Sequence, residues 1–579
     1  MVSIKIISFF CFCFLFLFQS VDAQETLQGR VIDAASGEGL GYVNIQIDKS
    51  SSGTTSDQKG NFRIDNVTGE YGITFSMIGF QTIHIEKVIS ASGPLLIKMQ
   101  PEVYLTDEVV ISASRKSQSL SLAPASIGII TQHQLDEVDV KSFDNAFQNI
   151  NGLQVTHSSG SNVQALSIRG ASEVAGGGIG NRVLLLIDGR PAITPESGGA
   201  LWNLVPLGAV DRIEVIKGAY SSLFGSSAMG GIVNVITKKP DTITHTDLKI
   251  HYGFYSRAPQ YTGYDRFNNF HGIDVVHSSA IHKWSYLFNV ANKSNDGHRE
   301  KSSFKTYNAY GKLLYDFSPN RNIQVSAMYS DIFNDTPATW LSTIKSYSVA
   351  DYRKDDTQHR RQWNGDLQYV AFAQAHVKYS SRFYYYSANS DFVFNGNPAN
   401  DSSNVNTGKQ SIPREKVNVS RFGHATQIDF SPGARHYLIG GIELQSDFVD
   451  GQPDTVLYGV HRAWNAAVYV QDQIMLGEKW VFTAGVRFDQ YKIAHTFSEG
   501  NVNPKIAAVC EVSKKVSVRG LLARAFRNPS IAERYTKFEQ GGGLSFKPNP
   551  SLRSEKLTLS AELGTKINLA DKLKLDVAV

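Results

Sequence analysis

Cysteine is almost missing from this chain. Of three in 579 residues, Cys11 and Cys13 lie in an N-terminal apolar segment and only Cys510 stands beyond it. Once that segment is removed, neither an internal disulfide nor a cysteine-based metal site can form. Proline is sparse, 18 residues against 48 glycines, which excludes a Pro-rich linker protein and suits many strands and turns. An excess of one charge is also lacking. The formal net charge is +4 and no dense Lys/Arg block appears, so nothing marks a nucleic-acid surface. Beyond the N-terminus no stretch reaches the roughly 18 consecutive apolar residues of a transmembrane helix. If the mature chain sits in a membrane, it must do so as a closed β-barrel. Hydrophobic residues still make up 42% and charged residues 19%, globular values that exclude wholesale disorder.

What is present begins with an address. Lys5 supplies a positive start, Ile6 to Phe18 form a continuous apolar run, and Val21-Asp22-Ala23 offers small-residue cleavage geometry before Gln24. Residues 1–23 read as a secretory signal peptide, the alternative being a membrane anchor for which the run is too short. No Leu-x-Gly-Cys pattern is visible, so no lipoprotein is expected.

The mature chain changes texture along its length. Residues 25–100 carry short apolar strands (Leu27 to Asp33, Tyr42 to Ile47, Tyr71 to Met77, Leu95 to Met99) broken by Gly/Asp/Ser turns, the pattern of a small β-sandwich. His84 and Glu86 share a strand face there and read as a surface pair, not a metal site. Residues 101–117 are a linker holding Asp107-Glu108-Val109-Val110-Ile111-Ser112-Ala113, a β-prone run. Its free backbone groups could add to another protein's sheet, or form the last strand of the sandwich. Residues 118–240 mix patterns. Thr131 to Ile150 predicts a helix with Leu135, Val138, Phe143, Ala146 and Phe147 on one face, while Val183 to Ile187, Val210 to Ile216 and Gly231 to Thr237 predict strands of an α+β domain. Residues 241–579 alternate strictly. Trp480, Phe482, Ala484, Val486 and Phe488 interleave with Val481, Thr483, Gly485, Arg487 and Asp489, and Leu248 to Phe254 and Leu557 to Leu569 behave alike. One face suits lipid and the other water, as in a transmembrane antiparallel barrel, with Tyr384, Tyr385, Tyr386, Trp480 and Tyr491 as candidates for its interfacial girdle. A soluble propeller or sandwich array is the alternative, but no internal repeat supports it.

One stretch is specific. Val210-Asp211-Arg212-Ile213-Glu214-Val215-Ile216-Lys217-Gly218-Ala219-Tyr220 continues through Gly225 and Gly230-Gly231-Ile232-Val233-Asn234. It resembles the plug signature of TonB-dependent receptors, with Ala219 where proline is usual. Ser167-Ile168-Arg169-Gly170 and Leu186-Ile187-Asp188-Gly189 resemble two further plug motifs. The run Asp107 to Ala113 resembles the TonB box, which favours the partner-binding reading of that segment. Gly29 to Asp33 with Gly53 to Phe62 resembles the carboxypeptidase-regulatory-like domain of Bacteroidetes receptors. The resemblance therefore spans the mature chain and implies a mostly β protein: sandwich, α+β plug, and a barrel of 22 strands in the family. It implies that Arg169, Arg212, Glu214 and Lys217 pair with the barrel wall, that Gly218, Gly225, Gly230 and Gly231 allow tight turns in a crowded lumen, and that Gly170, Asp188, Gly189 and Asn234 belong to the same plug signature. The Gly-rich run lacks the Gly-Lys-Ser/Thr ending of a phosphate loop. Gly176 to Gly180 read as a mobile plug loop on the substrate side.

The implied function is TonB-dependent import across the outer membrane of a scarce nutrient, first a ferric siderophore, then cobalamin or another metal chelate. A glycan importer working with a surface lipoprotein is the alternative, set back by Ile111-Ser112-Ala113-Ser114 where such boxes end differently. A third reading is a non-transporting adhesin or signalling barrel. The expected partners are TonB, outer-membrane lipid and a metal-chelate ligand, with the sandwich and TonB box in the periplasm. No resident cofactor, metal site or catalytic constellation is expected, so the chain does not read as an enzyme. Phe526 to Tyr535 and Asn549 to Leu552 resemble paired boxes that in haem receptors flank a histidine. Ser530 to Pro548 holds none, which sets haem back. At roughly two dozen residues per strand, residues 241–579 supply about 14 strands, so a fragment or a truncated gene is expected.

Overall fold

The structure is a computed structural model. It describes residues 26–579 apart from 35–36, 42, 49–52, 66–69, 78–82, 90–93, 101–108, 111–114, 116–117, 138–145, 148–149, 158–163, 173–178, 241–242, 319, 338–340, 375–376, 395–413, 434, 478, 514, 538, 541–543, 546 and 571–572. It divides into two units, 1–106 and 107–579.

The first unit holds strands β1 (Leu27–Asp33), β2 (Asn44–Ile47), β3 (Gly53–Thr55), β4 (Asn61–Ile64), β5 (Glu70–Ser76), β6 (Ile83–Ile89) and β7 (Leu95–Met99). They form two sheets, ordered β4-β1-β7 and β3-β2-β5-β6. The period-two pattern of β2 and β4 places Ile45, Ile47, Phe62 and Ile64 inward, where they meet Ile73, Phe75 and Met99 in one apolar core. The turn before β4 is fixed by Asp57, whose Oδ1 accepts the backbone N–H of Lys59 at 2.9 Å and of Asn61 at 2.8 Å. The hydrogen bonds from the Asn61 side chain and backbone hold the Asp57 carboxyl below its ordinary value. This is the expected sandwich.

The second unit opens with a minimal hairpin, β8 (Val109–Val110) against β9 (Gln118–Ser119). The plug follows: β10 (Ser126–Thr131), α1 (Gln132–Glu137), β11 (Leu153–His157), β12 (Gln164–Ile168), β13 (Val183–Ile187), β14 (Arg190–Pro191), β15 (Val210–Lys217), α2 (Ser221–Phe224) and β16 (Gly231–Thr237). The main sheet runs β10-β15-β16-β13-β14, with β13 parallel to β16. Every residue of β13 is buried, as its uninterrupted aliphatic run requires of a central parallel strand. The helix expected from Thr131 to Ile150 is corrected. Thr131 ends a strand that pairs with Arg212, and the described helix stops at Glu137. Val138 and Phe143 lie outside the described residues, while Leu135, Ala146 and Phe147 are buried as expected.

The rest is an antiparallel meander with 15 strands among the described residues. They are β17 (His245–Phe254), β18 (Asn269–Ile281), β19 (Trp284–Asn295), β20 (Phe304–Ser318), β21 (Arg321–Asp335), β22 (Thr357–Gln374), β23 (Val377–Val393), β24 (Arg414–Phe430), β25 (His436–Gln452), β26 (Gly459–Leu476), β27 (Trp480–Ile493), β28 (Phe497–Ser513), β29 (Val516–Arg527), then, after the short pair β30 (Glu539–Gln540) and β31 (Leu544–Ser545), β32 (Glu555–Ala570) and β33 (Leu573–Ala578). Short connections such as 282–283 and 514–515 gather at one end and long ones such as 336–356 and 528–554 at the other. In outer-membrane barrels short turns face the periplasm, which orients the sheet. Alternation is realised strand by strand: Phe482, Val486 and Phe488 are exposed, whereas Thr483, Arg487 and Asp489 are buried against the plug. Among the described residues no helix is long and apolar enough to cross a membrane. The aromatic girdle needs a correction. Tyr385 and Trp480 face outward, but Tyr384, Tyr386 and Tyr491 are buried on the lumenal side, because neighbours in a strand point to opposite faces.

Candidate functional site: the plug against the barrel wall

The plug is folded by its apolar sheet and meets the wall through both apolar and polar contacts. Of the four signature charges expected to reach the wall, Arg169 does. Its Nη1 lies 2.8 Å from Glu562 Oε2 on β32, and Glu562 Oε1 also receives Arg519 Nε of β29 at 3.1 Å and the backbone N–H of Ser126 at 3.1 Å. The other three have partners inside the plug. Arg212 donates to Glu214 at 3.0 Å and to Asp211 at 2.7 Å, and Lys217 donates to the Asn151 carbonyl at 2.7 Å. The reason is register. Arg212 and Glu214 stand two apart on β15, one face of one strand, so they neutralise each other. Burial, with the Arg169 guanidinium nearby, holds the Lys217 ammonium below its ordinary value.

Asp188 and Gly189 form a built turn. Both have positive φ, 50° and 79°. The Asp188 carboxylate accepts the Thr237 backbone N–H at 2.8 Å and hydroxyl at 2.7 Å, and Lys312 Nζ of β20 stands 3.2 Å away. The Gly189 N–H donates to Asn234 Oδ1 at 3.1 Å. Gly231 permits close approach, since a Cβ there would sit 2.3 Å from the Ile216 carbonyl oxygen. At Gly230 a Cβ would meet that of Ala171 at 2.3 Å. Gly170, Gly218 and Gly225 adopt positive φ of 85°, 104° and 74°.

Residues 284–579 match the family model described as TonB dependent receptor-like, beta-barrel, 119–232 match the TonB-dependent Receptor Plug Domain, and 27–111 match the CarboxypepD_reg-like domain. The chain belongs to the TonB-dependent receptor family. It is an outer-membrane receptor of that family, which is a class of transporters and receptors and not of enzymes. The receptor is 24% identical over 474 residues to the Vitamin B12 transporter BtuB of Vibrio vulnificus, covering 80% of this chain and 68% of that one. It is 25% identical over 472 residues to the Iron-regulated outer membrane virulence protein of Vibrio cholerae, covering 78% and 64%. It thus spans about two thirds of the curated relatives it matches. Among solved structures, a mutant ferric enterobactin receptor from Pseudomonas aeruginosa (PfeA) in complex with enterobactin superposes with a TM-score of 0.63 at 17% identity, covering 79% of this chain and 72% of that one. The siderophore receptor PirA from Acinetobacter baumannii gives 0.60 at 17%, covering 78% and 69%.

Much of the receptor's plug anchorage comes from wall residues that no motif marks. Arg382 of β23 donates to the Asp188 carbonyl at 2.7 Å, Arg421 of β24 to the Ile193 carbonyl at 2.7 Å, and Arg487 of β27 to the Leu223 carbonyl at 3.0 Å. Lys312 reaches the Thr237 hydroxyl. Strand parity is the signal that could have found them: Arg382 shares a face with Tyr384, and Arg487 with Asp489. From the linker, Arg115 reaches both plug and wall. Its Nη2 meets Glu443 Oε1 at 2.7 Å and the Leu223 carbonyl at 2.7 Å, its Nη1 meets Tyr469 at 2.7 Å, and its guanidinium stacks on Phe224 at 4.6 Å.

At the outer end, the segment resembling the paired boxes caps a short helix, α3 (Ile531–Tyr535), through a reciprocal Ser530–Glu533 capping box. Glu533 also binds Arg527, and Glu555 joins Arg527 to Arg182 of the plug. Gly180 lies beside Glu533, while residues 173–178 of the Gly-rich loop lie outside the described residues. In the sandwich, His84 is paired with Asp48 at 3.4 Å and Thr74 at 3.0 Å. Among the described residues no cluster of His, Cys, Asp and Glu could hold a metal ion. Of the TonB-box residues, Val109 and Val110 pair with Ser119 and Gln118, and Asp107, Glu108, Ile111, Ser112 and Ala113 lie outside the described residues.

Proposed function

We propose that this receptor imports a metal chelate, a ferric siderophore in the first place, driven by TonB acting on the segment Asp107 to Ala113. The observation that carries the reading is the contrast at the plug. An apolar sheet keeps the plug folded, and beside the apolar clusters it shares with the wall, hydrogen bonds and ion pairs hold it and can be exchanged for water as it moves. The outer membrane offers neither ATP nor a useful ion gradient, so uptake against a gradient needs energy from elsewhere. Ligand bound at the outer loops and the plug raises the population in which the segment is released. TonB then adds it as a strand and pulls. Val109–Val110 held by a two-residue hairpin suits release, because few backbone bonds oppose it. The working division remains sandwich 25–100, linker 101–117, plug 118–240 and barrel 241–579.

The siderophore reading is supported by the likeness to the enterobactin-bound receptor, and cobalamin, the second reading, by the BtuB relatives. Growth under iron limitation separates them. A deletion strain that grows normally on every candidate siderophore but fails on cobalamin replaces the first reading by the second. The coupling segment is tested by Val110→Pro, which removes a ladder donor and blocks strand addition. Uptake is expected to be lost with the folded protein still present, and unchanged uptake would remove Asp107 to Ala113 from the mechanism.

A further inference from the structure

A cavity of about 110 Å³ lies toward the outer end of the receptor, where the plug meets the wall. Thr194 of the plug lines one side, and Asn528 and Ser530 line another at the start of the long outer connection. That connection is fixed to the plug there, since the Ala532 N–H donates to the Glu196 carbonyl at 2.8 Å. A solute arriving from outside therefore meets plug, wall and outer connection together. At this size the cavity admits one edge of a chelate and not the whole of one.

Four charged residues line the cavity, two of each sign: Arg421, Arg487, Glu443 and Asp447. All four are engaged. Arg421 grips Asp447 with two nitrogens, at 2.7 and 2.9 Å, and turns the third to the Ile193 carbonyl at 2.7 Å. Arg487 faces Asp489 at 2.9 Å, Glu443 at 2.7 Å and the Leu223 carbonyl at 3.0 Å. The other oxygen of Glu443 holds Arg115. The groups left over are neutral. The Tyr491 hydroxyl, the Ser227 hydroxyl and Asn465 Oδ1 line the same cavity and make no hydrogen bond among the described residues. Between them they offer donors and acceptors but no net charge. A polyanion placed here would meet Glu443 and Asp447 with no free cation among the lining residues to receive it, and like charges facing each other across a contact are costly. A neutral solute would instead satisfy groups that now lack partners.

We propose that this cavity selects the charge of the chelate, and that the receptor takes an electrically neutral ferric complex of the hydroxamate class in preference to a catecholate one. Hydroxamates are monoanions, so three of them cancel the charge of a ferric ion. Catecholates are dianions, so three of them leave a trianion. The carbonyl and amide groups at the edge of a neutral complex are the partners that Tyr491, Ser227 and Asn465 lack. The inference rests on the proposed import of a metal chelate and narrows its ligand.

Equilibrium binding to the full chain in detergent tests it, with three probes: ferrichrome (a neutral ferric trihydroxamate), ferric enterobactin (a catecholate trianion) and cyanocobalamin (neutral and without iron). Ferrichrome is expected to bind roughly tenfold or more tightly than ferric enterobactin, with an affinity that salt barely changes because no net charge is screened. Asp447→Asn and Glu443→Gln each remove one negative charge and keep an oxygen that can accept from arginine. Each should shift the preference toward ferric enterobactin by about tenfold. Tyr491→Phe should weaken ferrichrome by roughly three- to tenfold, the size of one net hydrogen bond. Equal binding of the two iron chelates, or tighter binding of ferric enterobactin, overturns the inference and leaves chelate import standing. An unchanged preference in both folded carboxylate variants also overturns it, since the cavity then does not set the choice. Binding of cyanocobalamin with neither iron chelate upholds a neutral ligand and replaces the siderophore reading by the second one. Binding of none of the three sinks both.

Discussion

The interior of the plug and its contact with the wall are built differently, the first apolar throughout and the second mixed. Its central strand, Val183–Ile187, is aliphatic and buried throughout, packed with Val215, Val233 and Val235. Its contact with the wall mixes apolar clusters, in which Leu223 and Phe224 join Tyr469 and Leu521, with bonds from Arg169, Arg382, Arg421 and Arg487 onto carboxylates and backbone carbonyls. Apolar burial contributes about 1.5–3 kcal/mol per large side chain and cannot be traded for water. A net hydrogen bond contributes about 1 kcal/mol because water offers nearly the same bond. The polar part of the wall contact is thus the part that water can replace.

The comparison can be broken at its stronger side first. Leu185 is fully buried. Leu185→Ala should cost about 2–5 kcal/mol, seen as lost hydrogen-exchange protection across β13 and β16; retained protection would mean the sheet does not carry the plug. Glu562→Gln comes next. It weakens the bonds to Arg169 and Arg519 and should cost about 1.5–3 kcal/mol as charge-assisted hydrogen bonds. Protease access to the plug should rise while β13 stays protected, and joint loss of both would erase the distinction. Arg382→Ala should cost about 1–3 kcal/mol by leaving the Asp188 carbonyl unpartnered, read as faster exchange at Gly189 alone. The smallest effect lies in the sandwich and sharpens the contrast by pH. The Asp57 carboxyl is depressed in the folded chain, so its stabilisation is present above its unfolded value, about 3.9, and is lost as pH falls through the folded one. Protection of the Asn61 amide should therefore fall below about pH 4, and Asp57→Asn should flatten that dependence.

The sequence made some parts of this legible and hid others for physical reasons. Strand alternation is local, so Phe482 through Asp489 declare both faces of β27 without any knowledge of their partners. The plug signature carries its glycines because positive φ and close approach admit little else, as at Gly231. The wall arginines were hidden because their partners are carbonyls such as those of Asp188 and Leu223, far off in the chain and carrying no side-chain code. The helix was expected one residue too early because Thr131 suits either element, and pairing with Arg212 of β15 decided for strand. Arg115 could not be read as an anchor from its neighbours, since Glu443 lies 328 positions away.

The sheet order of the plug has a mechanical meaning. Tension entering ahead of Val109 reaches the β8–β9 pair as a hairpin opened from its ends, so its bonds break one after another and not together. The next strand in line, β10, is the edge of its sheet with a single neighbour, β15. The strands held between two neighbours, β13, β15 and β16, come later in the chain and would be loaded after β10. Under the proposed coupling, the order of strands would thus set an order of yield, from the β8–β9 pair to β10, before the interior of the sheet is reached.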